Sequence, residues 1–343
     1  MALRIDGHLD LAYNALDKKR DVTLELDVLR HQEQRKQEEA MVTLPELHRA
    51  GIGIVFATIF VMPRAAKAGD DVYRTYSTAN EARSLAIDQL QLYQRWEQEG
   101  RIAMLRCRAD LDAHLARWEE RADTPVGVVL LMEGADPIAD PDDLAWWFER
   151  GVRIVGPAWK ATAYAGGTST PGPLTALGVE LIEAMTQLEL VLDVSHLAEE
   201  SFWQALDLGV KNVIASHSNA RAIVDTDRHL SDPMIQAIGE REGVIGLVLA
   251  SSFLKQGLQR EDDKASVTLN EVRRHAEHVA NLVGWHRVAI GSDFDGGFGR
   301  RETPVELDRG SHFEKLGVVA PPSARDGLLG DNWLAFLRRA LPS

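Results

Sequence analysis

The chain has a single cysteine, Cys107, in 343 residues. That excludes a disulfide framework within the chain and a zinc site built on several thiolates. Positive charge is also in short supply: 38 Lys and Arg stand against 52 Asp and Glu, a formal net charge of −14. A nucleic-acid binder needs a basic surface to neutralise phosphates, so that class is disfavoured. An acidic surface selects no particular partner, because it is also a common route to solubility. No apolar run approaches the roughly 18 residues of a membrane-spanning helix. The opening MALRID has neither an apolar h-region nor a cleavage signal, so a cytoplasmic location with no membrane contact is expected. There is no repeat of fixed period, no low-complexity tract, and no glycine-rich phosphate fingerprint after the first apolar run. The last absence weighs against a dinucleotide-binding doubly wound sheet.

What the chain does have is a hydrophobic fraction of 45%, enough to bury a large core. Short apolar runs alternate with longer amphipathic segments. The runs are 3–7, 52–60, 126–132, 152–155, 188–194, 212–215, 244–249 and 288–291. Several are apolar at consecutive positions, as strands covered on both faces are. Helical periodicity fills the intervals, at 79–99, 142–150, 178–187, 198–208, 232–240 and 269–283. Such alternation predicts an α/β fold, and eight units predict a (β/α)8 TIM-type barrel formed as one domain over residues 1–343. Residues 11–50 and 61–125 exceed a minimal barrel and read as insertions after strands one and two. The C-terminal GLLGDNWLAFLRRAL reads as a helical extension, with Trp333, Phe336 and Leu337 spaced for core packing.

Barrel active sites are built where strands end. Strand one ends at His8 and Asp10, strand three at Glu133, strand five at His196, strand six at His217 and strand eight at Asp293. Residues i and i+2 of a strand point to one face, so His8 and Asp10 can converge. Taken singly, each is an ordinary strand-end polar residue. Together, three histidines and three carboxylates at one rim would crowd and desolvate charge. A divalent cation removes that penalty. Imidazole with carboxylate suits zinc, with manganese, iron or cobalt as substitutes. The set suffices for two ions sharing a carboxylate and a bridging hydroxide, about 3.5–4 Å apart.

DGHLDL, MEGADP, LVLDVSHL, ASHSNARAI with RHLSD, and IGSDFDG occur in this order. They resemble the motifs of the membrane (renal) dipeptidase family, binuclear zinc peptidases of the amidohydrolase superfamily. The resemblance runs from strand one to LLGDNWLAFLRR. It implies metal-dependent hydrolysis of the peptide bond of dipeptides, with an L- or D-residue at the C-terminal side. It also implies residue roles. His8 and Asp10 match ligands of the first ion, Glu133 the bridging carboxylate, and His196 and His217 ligands of the second. Asp293 matches the aspartate that holds the bridging water and shuttles its proton. Arg228 matches the arginine that binds the substrate carboxylate, for which a guanidinium is well suited. A homodimer is implied as well.

Two positions depart from the family pattern. Trp159 falls near the place of a histidine that steadies the carbonyl oxygen, and Ala250 stands where a tyrosine is often found. Indole donates one hydrogen bond and carries no charge. The ion site therefore reads as intact and the substrate pocket as altered. A small amide such as an N-acyl amino acid is the alternative substrate, and a metal-binding protein without catalysis is the third reading. Among the remaining histidines, His275 and His278 read as a solvated helix face. Asp6 reads as structural at the barrel rim, and Asp295 as part of a turn.

Overall fold

The structure is a computed structural model that describes residues 2–33, 39–66, 74–120, 123–258 and 264–343. Its main strands are β1 (Arg4–Leu9), β2 (Ile52–Phe60), β3 (Val126–Glu133), β4 (Val152–Gly156), β5 (Val191–Asp193), β6 (Val213–Ile214), β7 (Ile245–Leu247) and β8 (Val288–Ile290). Each falls on an apolar run named above. β1 to β6 pair in chain order as one parallel sheet, curled into a half-barrel. β7 and β8 form a separate parallel pair, and one parallel bridge, Ala215 to Ile245, links β7 to β6. The regular ladder therefore does not run through all eight strands among the described residues. A further short strand, Ile102–Met104, lies on the edge of β3, where the sequence pattern predicted only an insertion.

The physical reason for the break is length. β5 to β8 have two or three residues each, and the chain leaves them at once to form the loops of the rim. Close backbone approach takes over there. A Cβ at Gly246 or Gly291 would lie 2.0 or 1.8 Å from the Ser216 carbonyl oxygen, so neither position has room for a side chain.

β2 and β3 are buried at every residue, as expected of strands with helices on one face and a packed interior on the other. Alternation with period two separates the faces. Ile54, Phe56, Val129, Leu131 and Ile154 pack inward, while Val55, Ala57, Val128, Leu130 and Met132 pack against the helices. The C-terminal helix Asn332–Ala340 joins the inner cluster through Trp333, Phe336 and Leu337. Trp333 donates from its indole to the Ile290 carbonyl at 2.8 Å and meets Phe56 edge-on.

The main helices start on good caps. Thr78, Thr175 and Thr268 accept backbone N–H bonds at the heads of Ala79–Gln98, Ala176–Gln187 and Leu269–Val283, and Thr268 with Glu271 forms a capping box. One helix corrects the sequence reading. His275 is not solvated: it is fully buried with Val272, Ala276 and Val279, and its ring bonds to Ala220 N at 3.2 Å and Leu254 O at 3.2 Å. His278 is half-buried and pairs with Asp232 at 2.7 Å. Asp6 is structural as expected. Its carboxylate accepts from the backbone and hydroxyl of Ser292, tying β1 to the residues that follow β8.

Candidate metal centre

Six strand-end residues meet at one place. His8 sits within β1 and Asp10 just after it, so the strand turns both toward the same rim. Glu133 is the last residue of β3 and lies between the histidines. One of its oxygens is 3.7 Å from His8 Nε2; the other is 3.3 Å from His196 Nε2 and 3.6 Å from His217 Nε2. His8 Nε2 is also 3.9 Å from a carboxylate oxygen of Asp10 and of Asp293. His196 and His217 point their Nε2 atoms at each other, 3.0 Å apart. Apart from His196, which retains slight exposure, all six residues are buried.

Hydroxyl groups hold the far sides of these ligand candidates. Ser216 Oγ is 3.1 Å from His8 Nδ1 and 2.8 Å from His217 Nδ1. Thr168 Oγ1 is 2.9 Å from His196 Nδ1. Thr58, on β2, donates its hydroxyl to Asp10. Behind Ser216 stands Asp193, the last residue of β5, which accepts the Ser216 hydroxyl at 2.6 Å and the Ser216 and Ser195 backbone N–H groups at 2.8 and 3.0 Å. The sequence reading did not single out Asp193, Ser216, Thr168 or Thr58. For Asp193 and Ser216 a signal was available: each is a polar residue in an apolar run, close ahead of a histidine.

Two of the site residues sit on backbone that most side chains avoid. His196 has φ of 67° and Asp293 φ of 57°. Left-handed conformations at non-glycine residues gather where function demands an orientation. Gly296 makes room for that orientation, since a Cβ there would lie 1.8 Å from Asp293 Oδ1.

The electrostatics without an ion are frustrated. Burial opposes charge on His8, yet Glu133, Asp293 and Asp10 together push it up to about 10. Burial would raise Glu133, but His8 and His196 hold it well below the usual carboxylate range. Burial pushes Asp10 up to about 6, with Glu133 adding to the effect. Burial pushes Asp293 far up against the pull of His8, and Asp10 and Glu133 push it further. Burial and Arg228 bring His196 down to about 4, and burial, His8 and Arg228 drive His217 well down. Three carboxylates and three imidazoles cannot all take their preferred charge here without a cation.

The donor set fits such a cation. His8, Glu133 and His217 each bring a ligand atom within 4.8 Å of the others. His8 Nε2 is buried and has no hydrogen-bond partner, and it faces the carboxylates. An orphan imidazole nitrogen aimed at carboxylate oxygens is what a ligand without its ion looks like.

Arg228 is buried beside this cluster. Its Nη atoms donate to Ser218 Oγ at 3.0 Å and to the His217 carbonyl at 2.7 Å, while Nε has no partner. The guanidinium lies over the Phe253 ring at 5.3 Å. Trp159 packs edge-on to Phe60, 5.3 Å between ring centres, and lies 6.1 Å from the His196 ring. Ala250 is buried at the head of the short helix Ser251–Leu254. The structure thus brings His8, Asp10, Glu133, His196, His217, Asp293, Arg228 and Trp159 together at one rim.

The membrane dipeptidase family (peptidase family M19) matches residues 2–317. The chain belongs to that family. It is an M19-type metallo-dipeptidase by membership, and its fold agrees. A dipeptidase of family M19 superposes on it with a TM-score of 0.83 at 25% identity, covering 100% of both chains. A metallopeptidase from Rhodobacter sphaeroides, solved with a phosphinate mimic of the dipeptide L-Ala-D-Ala, does so with a TM-score of 0.83 at 26% identity, covering 98% of this chain and 99% of that one. An uncharacterised Klebsiella pneumoniae protein from the pqqA 5′ region is 31% identical over 233 residues, 64% of this chain and 83% of that protein. Among the described residues, no helix is long and apolar enough to cross a membrane.

Proposed function

We propose that this dipeptidase holds two divalent ions, zinc foremost, at the mouth of a closed (β/α)8 barrel, and cleaves short peptides with a free C-terminal carboxylate. The observation that carries the reading is the orientation of the three histidines. Their Nδ1 sides rest on hydroxyls and their Nε2 sides turn toward Glu133. Closure of the barrel is supported at both weak seams. Gly246 N donates to Ala215 O and Ser218 N to Gly246 O between β6 and β7, and Asp293 N donates to His8 O beside the Asp6–Ser292 tie.

His8 and Asp10 would hold the first ion, His196 and His217 the second, and Glu133 would bridge them. Bound there, the ions would supply a Lewis acid for the scissile carbonyl and lower the pKa of water between them. Asp293 is the buried carboxylate placed to take a proton from the attacking water and return it to the leaving amine. Arg228 has a free, buried Nε and would bind the substrate carboxylate. Trp159, beside His196, would orient a carbonyl oxygen by one hydrogen bond without protonating it.

Trp159 and Ala250 favour a second reading, in which the same Arg228 holds an N-acyl amino acid. The structure of the Rhodobacter sphaeroides relative with its L-Ala-D-Ala mimic supports the dipeptide first. The test is metal analysis joined to a panel of L-Xaa-L-Xaa, L-Xaa-D-Xaa and N-acetyl amino acids. Two ions per chain with dipeptide turnover is the expected result. Turnover of the N-acetyl compounds alone moves the substrate to the second reading, and no turnover by the metal-loaded protein leaves a binding role. A homodimer and a cytoplasmic location are separate proposals, open to light scattering and cell fractionation.

A further inference from the structure

Of the hydroxyls behind the histidines, one serves two rings. Ser216 is fully buried at the end of β6 and touches a ring on β1 as well as its own neighbour. A serine hydroxyl has one hydrogen to give and two lone pairs to receive. Asp193, a carboxylate that only accepts when ionised, takes the hydrogen at 2.6 Å. Both lone pairs are then left for His8 Nδ1 and His217 Nδ1. Each ring must place its proton on Nδ1, and each Nε2 is left as a lone pair facing Glu133.

We propose that Ser216, anchored by Asp193, is a positioning residue shared by the two ion sites: one hydroxyl fixes the tautomer and aim of a ligand to each ion. The inference rests on the two-ion assignment above. Thr168 provides the contrast, because its hydroxyl reaches only His196. Ser195 Oγ approaches Ser216 Oγ at 3.3 Å, but it also receives the His217 backbone N–H at 3.0 Å. With the Ser216 hydrogen on Asp193, Ser195 is the donor of that pair, a longer bond that shares the Ser216 oxygen with the two closer imidazoles. The braces therefore divide unevenly: removing one hydroxyl loosens both ions, and removing the other loosens one.

The experiment is chelator competition on the full-length zinc-loaded enzyme, with bound zinc counted by mass spectrometry and the stepwise affinities fitted. Wild type should carry two ions. In Ser216→Ala both steps should weaken by about 10- to 100-fold, the range for loss of an outer partner of a ligand. In Thr168→Val only one step should weaken. Asp193→Asn is the second variant, should Ser216→Ala fail to fold. Its amide can donate to Ser216 and occupy a lone pair that an imidazole needs, so both steps should again weaken. Circular dichroism of each ion-free variant establishes that it is folded. Ser216→Ala with both affinities unchanged, or with only one altered, overturns the shared role. A folded wild type that takes up no zinc overturns the metal reading itself, which is a distinguishable result.

Discussion

The first four strands and the last four reach the same rim by different means. β1 to β4 run six, nine, eight and five residues in one parallel ladder, with register shifts between β1 and β2 and between β3 and β4. β5 to β8 run three, two, three and three. The long half contributes His8, Asp10 and Glu133 from regular strand or just beyond it. The short half contributes His196, His217, Arg228 and Asp293 from loops, two of them on left-handed backbone. In the long half, Glu133 ends a strand in continuous register with β2, and His8 sits where the β1–β2 register shifts. In the short half, side chains do the work of a ladder: Asp193 ties β5 to Ser216, and Asp6 ties β1 to Ser292. The difference teaches that regular pairing makes a scaffold, while freedom from it lets a chain place a carboxylate where pairing alone would not.

The comparison is tested hardest at Asp293. Asp293→Asn keeps the shape and removes the base, so kcat should fall by about 10²- to 10⁴-fold. Ion content, read by mass spectrometry, should stay at the wild-type level. Retained activity would remove the proton role and leave the short half only its ion and substrate ligands. Trp333 tests the inner core that supports the rim. It is fully buried against Phe56, bonded to Ile290 O, and its ring lies against Gly7, the neighbour of His8. Trp333→Ala should lower unfolding free energy by about 3–5 kcal/mol in urea titrations. Activity per folded molecule should fall as well, because the lost ring supports Gly7, next to His8.

The sequence was most legible where the backbone is regular. All eight apolar runs became strands, and the histidines and carboxylates selected at five of their ends lie together. This follows from physics: consecutive apolar residues and period-two alternation are direct signatures of strands buried on both faces. Legibility failed where one element had to know its neighbour. His275 read as solvated because helical spacing to His278 is visible, while the cavity that receives it is made by Ala220 and Leu254. Ser216 and Asp193 were not singled out because their partners are distant in the chain: His8 lies 208 residues from Ser216, and Ser216 lies 23 residues from Asp193. The break in the ladder after β6 was hidden too, since apolar runs of four to seven residues gave strands of only two or three. The roles of Asp293 and Arg228 came from motif resemblance; neither follows from spacing.

Gly296 sharpens the contrast within the short half. It has no unusual φ to protect, so its requirement is space: a methyl group there would overlap Asp293 Oδ1. Gly296→Ala should push that carboxylate aside and lower kcat by about 100-fold, the scale of a misplacement near 1 Å. Wild-type KM would mark this as a fault in aiming the base. A rise in KM with unchanged kcat would show that the loop serves substrate binding instead.

The smallest expected effect belongs to the long half, at the turn that leads into β2. Glu46 is buried on the helix Leu44–Arg49 and accepts from Ser311 N at 2.9 Å and Arg49 at 2.5 Å, with Arg309 at 3.3 Å. Burial alone would raise this carboxylate, but Ser311, Arg309 and Arg49 outweigh it and hold it below its ordinary value. A lowered folded pKa stabilises the protein above the unfolded value of about 4.3 and loses that contribution as pH falls through the folded value. Glu46→Gln should therefore cost about 1 kcal/mol at pH 7. The gap to wild type should shrink below about pH 4, where the carboxylate itself takes up a proton. Thermal melts at both pH values measure it. A gap that stays constant would mean that the carboxylate acts by shape rather than charge, and that the long half owes its stability to its ladder and core.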